Sequence, residues 1–105
     1  MNWSFNEYQQ FAKTTAIYPP EEALTYTALG LASEAGEVAG KIKKYIRDGV
    51  KDDDAIIDEL GDVLWYLAVL AEELDVDLSI VAQRNTEKLI DRRDRNKLSG
   101  SGDKR

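Results

Sequence analysis

The sequence predicts an all-α domain, and three features carry that expectation. Apolar residues recur at three- and four-residue spacing in several long stretches, no stretch alternates apolar and polar as a half-buried strand would, and start and stop signals bracket each stretch. With 105 residues, one core is the expected content. We place it in residues 1–96 as a four-helix bundle, followed by a tail over 97–105.

Ser4-Phe5-Asn6-Glu7 has capping-box spacing, in which the Ser and Glu side chains satisfy free amides at a helix start. A first helix over about 5–16 follows, until Tyr18-Pro19-Pro20 breaks it. Pro20 suits the first position of a second helix, and Glu21 and Glu22 sit well against its positive end. That helix is expected to run to about Arg47 on the stripe Leu24, Ala28, Leu31, Ala35, Val38, Ile42 and Ile46, ending at Asp48-Gly49. Asp52, Asp53 and Asp54 offer N-caps for a third helix carrying Ile56, Leu60, Val63, Leu64, Leu67, Leu70, Ala71 and Leu74. Residues 63–71 are apolar on every side, so this helix belongs at the centre of a bundle or under another subunit, and oligomerisation is expected. After a break at Asp75–Asp77, Leu78, Val81, Ala82, Asn85 and Leu89 mark a fourth helix ending near Asn96. The Ser/Gly-rich residues 97–105 have a linker's composition and are expected to be disordered.

Two absences limit the chemistry. With no Cys and no His there is no thiolate nucleophile, Ser-His relay, disulfide framework or usual zinc site. Carboxylates acting through a hard cation such as Mg²⁺ or Mn²⁺ remain. A net charge of −6 argues against a general nucleic-acid binder, because phosphate backbones are gripped by basic surfaces. The longest apolar run, Val63 to Ala71, is too short for a membrane span, and Met1-Asn2-Trp3-Ser4 has no secretory pattern, so a cytoplasmic protein is expected.

Glu34-Ala35-Gly36-Glu37 lies in the second predicted helix and Glu59-Leu60-Gly61-Asp62 in the third. Residues three apart are about 60° apart around a helix, so each acidic pair projects from one face. If the two helices form an antiparallel hairpin, the four carboxylates can converge. One Glu-x-x-Glu ordinarily marks a solvated face; two such pairs beside apolar stripes leave metal binding and solvation both open. Burying like charges there is costly, and a divalent cation removes the objection. Gly30, Gly36, Gly40 and Gly61 each weaken a helix by roughly 0.5–1 kcal/mol relative to Ala, and close helix approach is the simplest offset. In the fourth helix Asn85 interrupts the stripe with Lys88 and Arg92 nearby. That face reads either as a buried Asn with two snorkelling cations or as a grip for phosphate oxygens.

The pattern Glu34-x-x-Glu37, then the 21 residues Val38 to Asp58, then Glu59-x-x-Asp62 resembles the signature of the MazG-like nucleoside triphosphate pyrophosphohydrolases, of the all-α NTP pyrophosphatase superfamily. The strings Leu31-Ala32-Ser33-Glu34-Ala35-Gly36-Glu37-Val38 and Asp58-Glu59-Leu60-Gly61-Asp62-Val63-Leu64-Trp65-Tyr66-Leu67 read as that family does, and Asn85-x-x-Lys88-x-x-x-Arg92 is similar to its third element. The resemblance covers about residues 5–95.

It implies a MazG-like bundle whose second and third helices form a metal-binding hairpin, completed by oligomerisation to a dimer or tetramer. The implied reaction splits a nucleoside or deoxynucleoside triphosphate into the monophosphate and pyrophosphate. Glu34, Glu37, Glu59 and Asp62 become ligands of Mg²⁺, for which Mn²⁺ can substitute, with Glu34 the candidate base. Asn85, Lys88, Arg92 and Lys41 become phosphate contacts. Trp3, Gln9 and Trp65 are candidates for a base pocket, with Phe5, Tyr26 and Tyr66 also able to stack, although each of these six fits a core or interface role as well. The rival readings are a dimeric dUTPase-like or phosphoribosyl-ATP pyrophosphohydrolase relative and a non-catalytic helical interaction module.

Overall fold

Ser4 starts α1 (Phe5–Thr14) as its spacing predicts. Its Oγ accepts from the Glu7 amide at 3.1 Å, and Glu7 Oε1 accepts from the Ser4 amide at 3.0 Å. The helix stops two residues short of expectation, where the Thr14 and Thr15 hydroxyls donate to the Phe11 and Ala12 carbonyls. The computed structural model describes residues 1–105, and its regular structure is entirely helical.

Pro20 does not open an α-helix. It begins a single 3₁₀ turn, Pro20–Glu22, and α2 (Ala23–Asp48) follows, because Glu22 at φ −114° and ψ 15° interrupts the helical path. Gly49, at φ 76°, ends α2 by donating its amide to Tyr45 O. Asp52 caps α3 (Asp53–Glu73), its carboxylate accepting from the Ala55 amide at 3.1 Å. The chain turns at Asp75, φ 58°, into α4 (Leu78–Asp94).

α3 is the central element. α2 packs along it as a hairpin, α1 lies against both α3 and α4, and α2 and α4 do not touch. The core is small: Ala12, Ala68, Val69, Ala71 and Leu78, with Tyr8, Tyr18, Leu64, Trp65 and Tyr66 packed around it. Gln9 sits inside this core, fully buried. Its Nε2 donates to Ala68 O at 3.2 Å and Val76 O at 2.9 Å, while its Oε1 accepts from the Leu78 amide at 2.9 Å. Asn6 Oδ1 adds a bond from the Ser79 amide at 3.0 Å. Two polar side chains of α1 thus fasten the corner between α3 and α4, and Gln9 has no free polar atom or open face for a nucleobase.

Of the four helical glycines, only Gly30 meets close approach. A Cβ there would lie 2.0 Å from Tyr66 Cε1, whereas Gly36, Gly40 and Gly61 face open space. Much apolar surface is likewise uncovered, including Ile46, Leu29, Ile57 and Leu60. The accessible area is 7784 Å², against about 5,900 Å² for a compact monomer of this size. The radius of gyration, 16.4 Å, similarly exceeds the roughly 13 Å of a compact domain. No helix is long and apolar enough to cross a membrane.

Candidate metal centre

The helical hairpin brings Glu34 of α2 to Glu59 and Asp62 of α3. Each offers a carboxylate oxygen, and these oxygens lie within 4.8 Å of one another. Glu34 and Glu59 are half-buried and Asp62 is exposed. None of the three takes part in an ion pair. Partial burial, then the charges of Asp62, Glu59 and Glu37, raise the Glu34 carboxyl above its ordinary value. Glu37 is therefore near enough to be felt, yet it is exposed and stands outside the cluster. Three of the four expected ligands converge; the fourth does not in this conformation.

An aromatic wall borders the carboxylates. Trp65 and Tyr66 line a 320 Å³ cavity together with Glu34 and Asp62. The Trp65 indole N–H donates to Thr15 Oγ1 at 2.8 Å, which fixes the ring, and Tyr66 meets it edge-on with centroids 4.9 Å apart. Tyr66 continues to Tyr26 at 6.4 Å and Tyr26 to Tyr18 at 5.3 Å, a ladder that Gly30 allows to sit close against α2. Burial, then the neighbouring Tyr26 and the charges of Glu34 and Asp62, push the Tyr66 phenol up. Thr15 was not visible as a site residue in the sequence, because a Thr at a helix end is ordinary and its partner lies fifty positions away.

The other candidates are dispersed. Trp3 packs against Phe11 with tilted rings, centroids 5.1 Å apart, and lines a separate cavity with Ser4, Asn6 and Ser79, away from the carboxylates. Lys41, half-buried on α2, makes no ion pair. Asn85 is exposed and not buried in the stripe; with Lys88 it edges a 740 Å³ apolar groove formed by Leu64, Leu67, Ala71 and neighbours. Those α3 residues lie about 80–140° around the helix from Glu59, so the groove and the acidic cluster occupy different flanks of α3. Within one chain the α4 face does not close over the Glu34 side of the cluster, since α4 never touches α2. Lys88 Nζ instead binds Asp103 Oδ1 at 2.8 Å, and Arg92 donates to both the Asp103 carbonyl and its carboxylate. Residues 97–105, read from composition as a loose tail, are laid back on α4 through these contacts.

The model of the MazG nucleotide pyrophosphohydrolase domain matches residues 22–96, a span that contains the acidic cluster, the aromatic pair and all of α4. Over 109 aligned positions the chain is 50% identical to the Gene 37 protein of Mycobacterium phage L5, covering 93% of this chain and 96% of that relative. No solved structure matches. The hairpin with its acidic cluster and the family match agree: the chain belongs to the MazG nucleotide pyrophosphohydrolase domain family.

Proposed function

We propose that this chain hydrolyses a nucleoside or deoxynucleoside triphosphate to the monophosphate and pyrophosphate, with Glu34, Glu59 and Asp62 holding Mg²⁺ and Glu37 joining them. The observation that carries the reading is the convergence of three carboxylates from two helices, none of them in an ion pair. An all-oxygen donor set of this kind fits Mg²⁺ or Mn²⁺ better than zinc or copper, which favour nitrogen and sulfur ligands. When bound, the divalent ion supplies charge neutralisation at the phosphates and Lewis acidity.

The chain's own groups do the rest. Glu34, partly desolvated and surrounded by like charge, is our candidate to accept the proton of the attacking water. Trp65, held by Thr15, and Tyr66 offer the base a rigid aromatic surface next to the carboxylates. Lys88, Arg92, Asn85 and Lys41 are assigned to the phosphates. The separation of the α4 face from the cluster and roughly 1,900 Å² of surface beyond a compact monomer's favour a homo-oligomer, dimer or tetramer, in which copies complete each other's sites. We assign residues 1–96 to one helical domain and the protein to the cytoplasm.

The test is a panel of nucleoside and deoxynucleoside triphosphates, dUTP and phosphoribosyl-ATP, assayed with Mg²⁺ and with EDTA and read by product identity. Monophosphate with pyrophosphate, lost in EDTA, is the expected result, and the preferred substrate separates the dUTPase-like and phosphoribosyl-ATP alternatives. Absence of turnover on every nucleotide, with thermal stability indifferent to Mg²⁺, would leave the helical interaction module.

A further inference from the structure

Arg92 is the one charged side chain buried in this chain, at 6% exposure. A buried guanidinium needs an anion, and its helix neighbours are engaged elsewhere: Asp91 pairs with Arg95 and Asp94 with Arg93. The C-terminal segment supplies the anion. Asp103 bridges Arg92 and Lys88, which are one turn apart on the same face of α4. The segment is shaped for this. Asn96, Gly100 and Gly102 take positive φ values of 56°, 106° and 91°, turning the chain back on itself. Arg105 then ties the loop together by donating to Gly102 O at 2.7 Å and Leu98 O at 3.0 Å, while Arg95 donates to Arg105 O at 2.8 Å.

We infer that residues 97–105 are an internal competitor for the phosphate site: Asp103 occupies Lys88 and Arg92, and a polyphosphate must displace it to bind there. This rests on the reading of those two cations as phosphate contacts. The chemistry favours exchange. Asp103 brings to Arg92 a main-chain carbonyl and one carboxylate, and that carboxylate is 78% exposed, so solvent and dissolved anions reach the pair from the Asp103 side while the guanidinium stays buried. A pyrophosphate group brings more charge and more acceptor oxygens to the same two donors, and Arg92 can bind it in a fork. The nearby cations turn the charge of Asp103 into a contact that holds its carboxyl below the usual range.

The test compares the full chain with Asp103→Asn and Asp103→Ala, titrating inorganic pyrophosphate calorimetrically in EDTA at fixed ionic strength. Without metal the acidic cluster repels the anion, and attraction is left to the cations assigned to the phosphates, of which the tail covers only Lys88 and Arg92. If the tail covers the cations about four-fifths of the time, both variants bind pyrophosphate about 5-fold tighter than wild type. Lys88→Ala in the Asp103→Asn background removes that gain. Phenylglyoxal modification of Arg92, followed by peptide mass spectrometry, becomes faster in both Asp103 variants. Should nucleotide hydrolysis be found, KM falls by the same factor while kcat is unchanged. If no protein hydrolyses any nucleotide, the enzyme reading fails while the pyrophosphate and modification arms still decide on the tail. Equal pyrophosphate affinity in wild type and variants, or no binding by any of them, overturns the inference, as does unchanged Arg92 reactivity.

Discussion

The corner around Gln9 and the cluster around Glu34 treat polar groups in opposite ways. At the corner, a fully buried amide has both its donors and its acceptor engaged, and no buried side-chain polar atom anywhere in the chain lacks a partner. At the cluster, three acidic groups are brought together with no ion pair to any of them. The corner closes its hydrogen bonds within the chain, whereas the cluster leaves like charges side by side with no cation paired to any of them. Lys88 and Arg92 stand between these extremes, cations matched by a carboxylate that solvent can reach.

If that contrast is right, substitutions in the two regions separate activity from stability. Glu59→Gln keeps the side-chain volume and removes one charge from the cluster. We expect turnover to fall at least about 100-fold, because disturbing even the outer partner of a metal ligand commonly costs 10–100-fold. The metal-free fold is expected to remain intact or gain slightly from reduced repulsion. Wild type should also melt higher in Mg²⁺ than in EDTA, by roughly 10 °C or more at about 100 times Kd, and the variant should lose most of that rise. Steady-state kinetics with thermal melts in both solutions check this. Wild-type turnover in Glu59→Gln would end the assignment.

Gln9→Ala should do the reverse. It strands the Leu78 amide inside the core and leaves two carbonyls short of a donor, and we expect a loss of about 2–4 kcal/mol by denaturant titration. Activity per folded molecule should be unchanged, since Gln9 touches neither the carboxylates nor their cavity. A variant of normal stability and impaired substrate binding would instead restore Gln9 to the base pocket.

The two regions also differ in how far the sequence revealed them. Local rules were enough for the Ser4–Glu7 capping box, the Asp52 cap and the Gly49 stop, because each depends on residues within four positions. The acidic cluster was legible for a related reason: the three-residue spacing aims each pair, and a short connection makes α2 and α3 neighbours. Gln9 was not legible, since its partners lie 59 to 69 positions away and a Gln on an amphipathic helix ordinarily faces water. The same distance problem hid Thr15 behind Trp65, whereas Asp103 lies only 11 positions from Arg92 and was hidden by the linker-like composition of residues 97–105. Glu37 shows the limit of spacing arguments. Sharing a helix face with Glu34 did not bring it into the group, because that face is wider than the contact line with α3. For the glycines, one composition-level explanation covered four residues of which only Gly30 meets a neighbour's ring.

The smallest effect tests the cluster's unbalanced charge directly. Glu34 has a folded-state value raised above its ordinary 4.5, so the native state binds a proton more readily than the unfolded chain. The associated stability is fully present below about pH 4.5 and is lost as pH rises through the raised folded value. Other carboxyls run the opposite way, with Glu7, Asp48 and Asp103 all lowered by their partners, so the melting curve of wild type alone mixes the two signs. Glu34→Gln isolates the one group. In EDTA at pH 7 the variant should melt slightly above wild type, because Gln at this position carries no charge for Asp62 and Glu59 to repel. That gap should close as pH falls and Glu34 takes up its proton. In Mg²⁺ the order should invert if the cluster holds the ion as proposed, since the charge that destabilises the metal-free cluster is then what attracts it. A gap independent of pH in EDTA would mean that the carboxylates do not sense one another, and an order unaffected by Mg²⁺ would mean that no ion joins them.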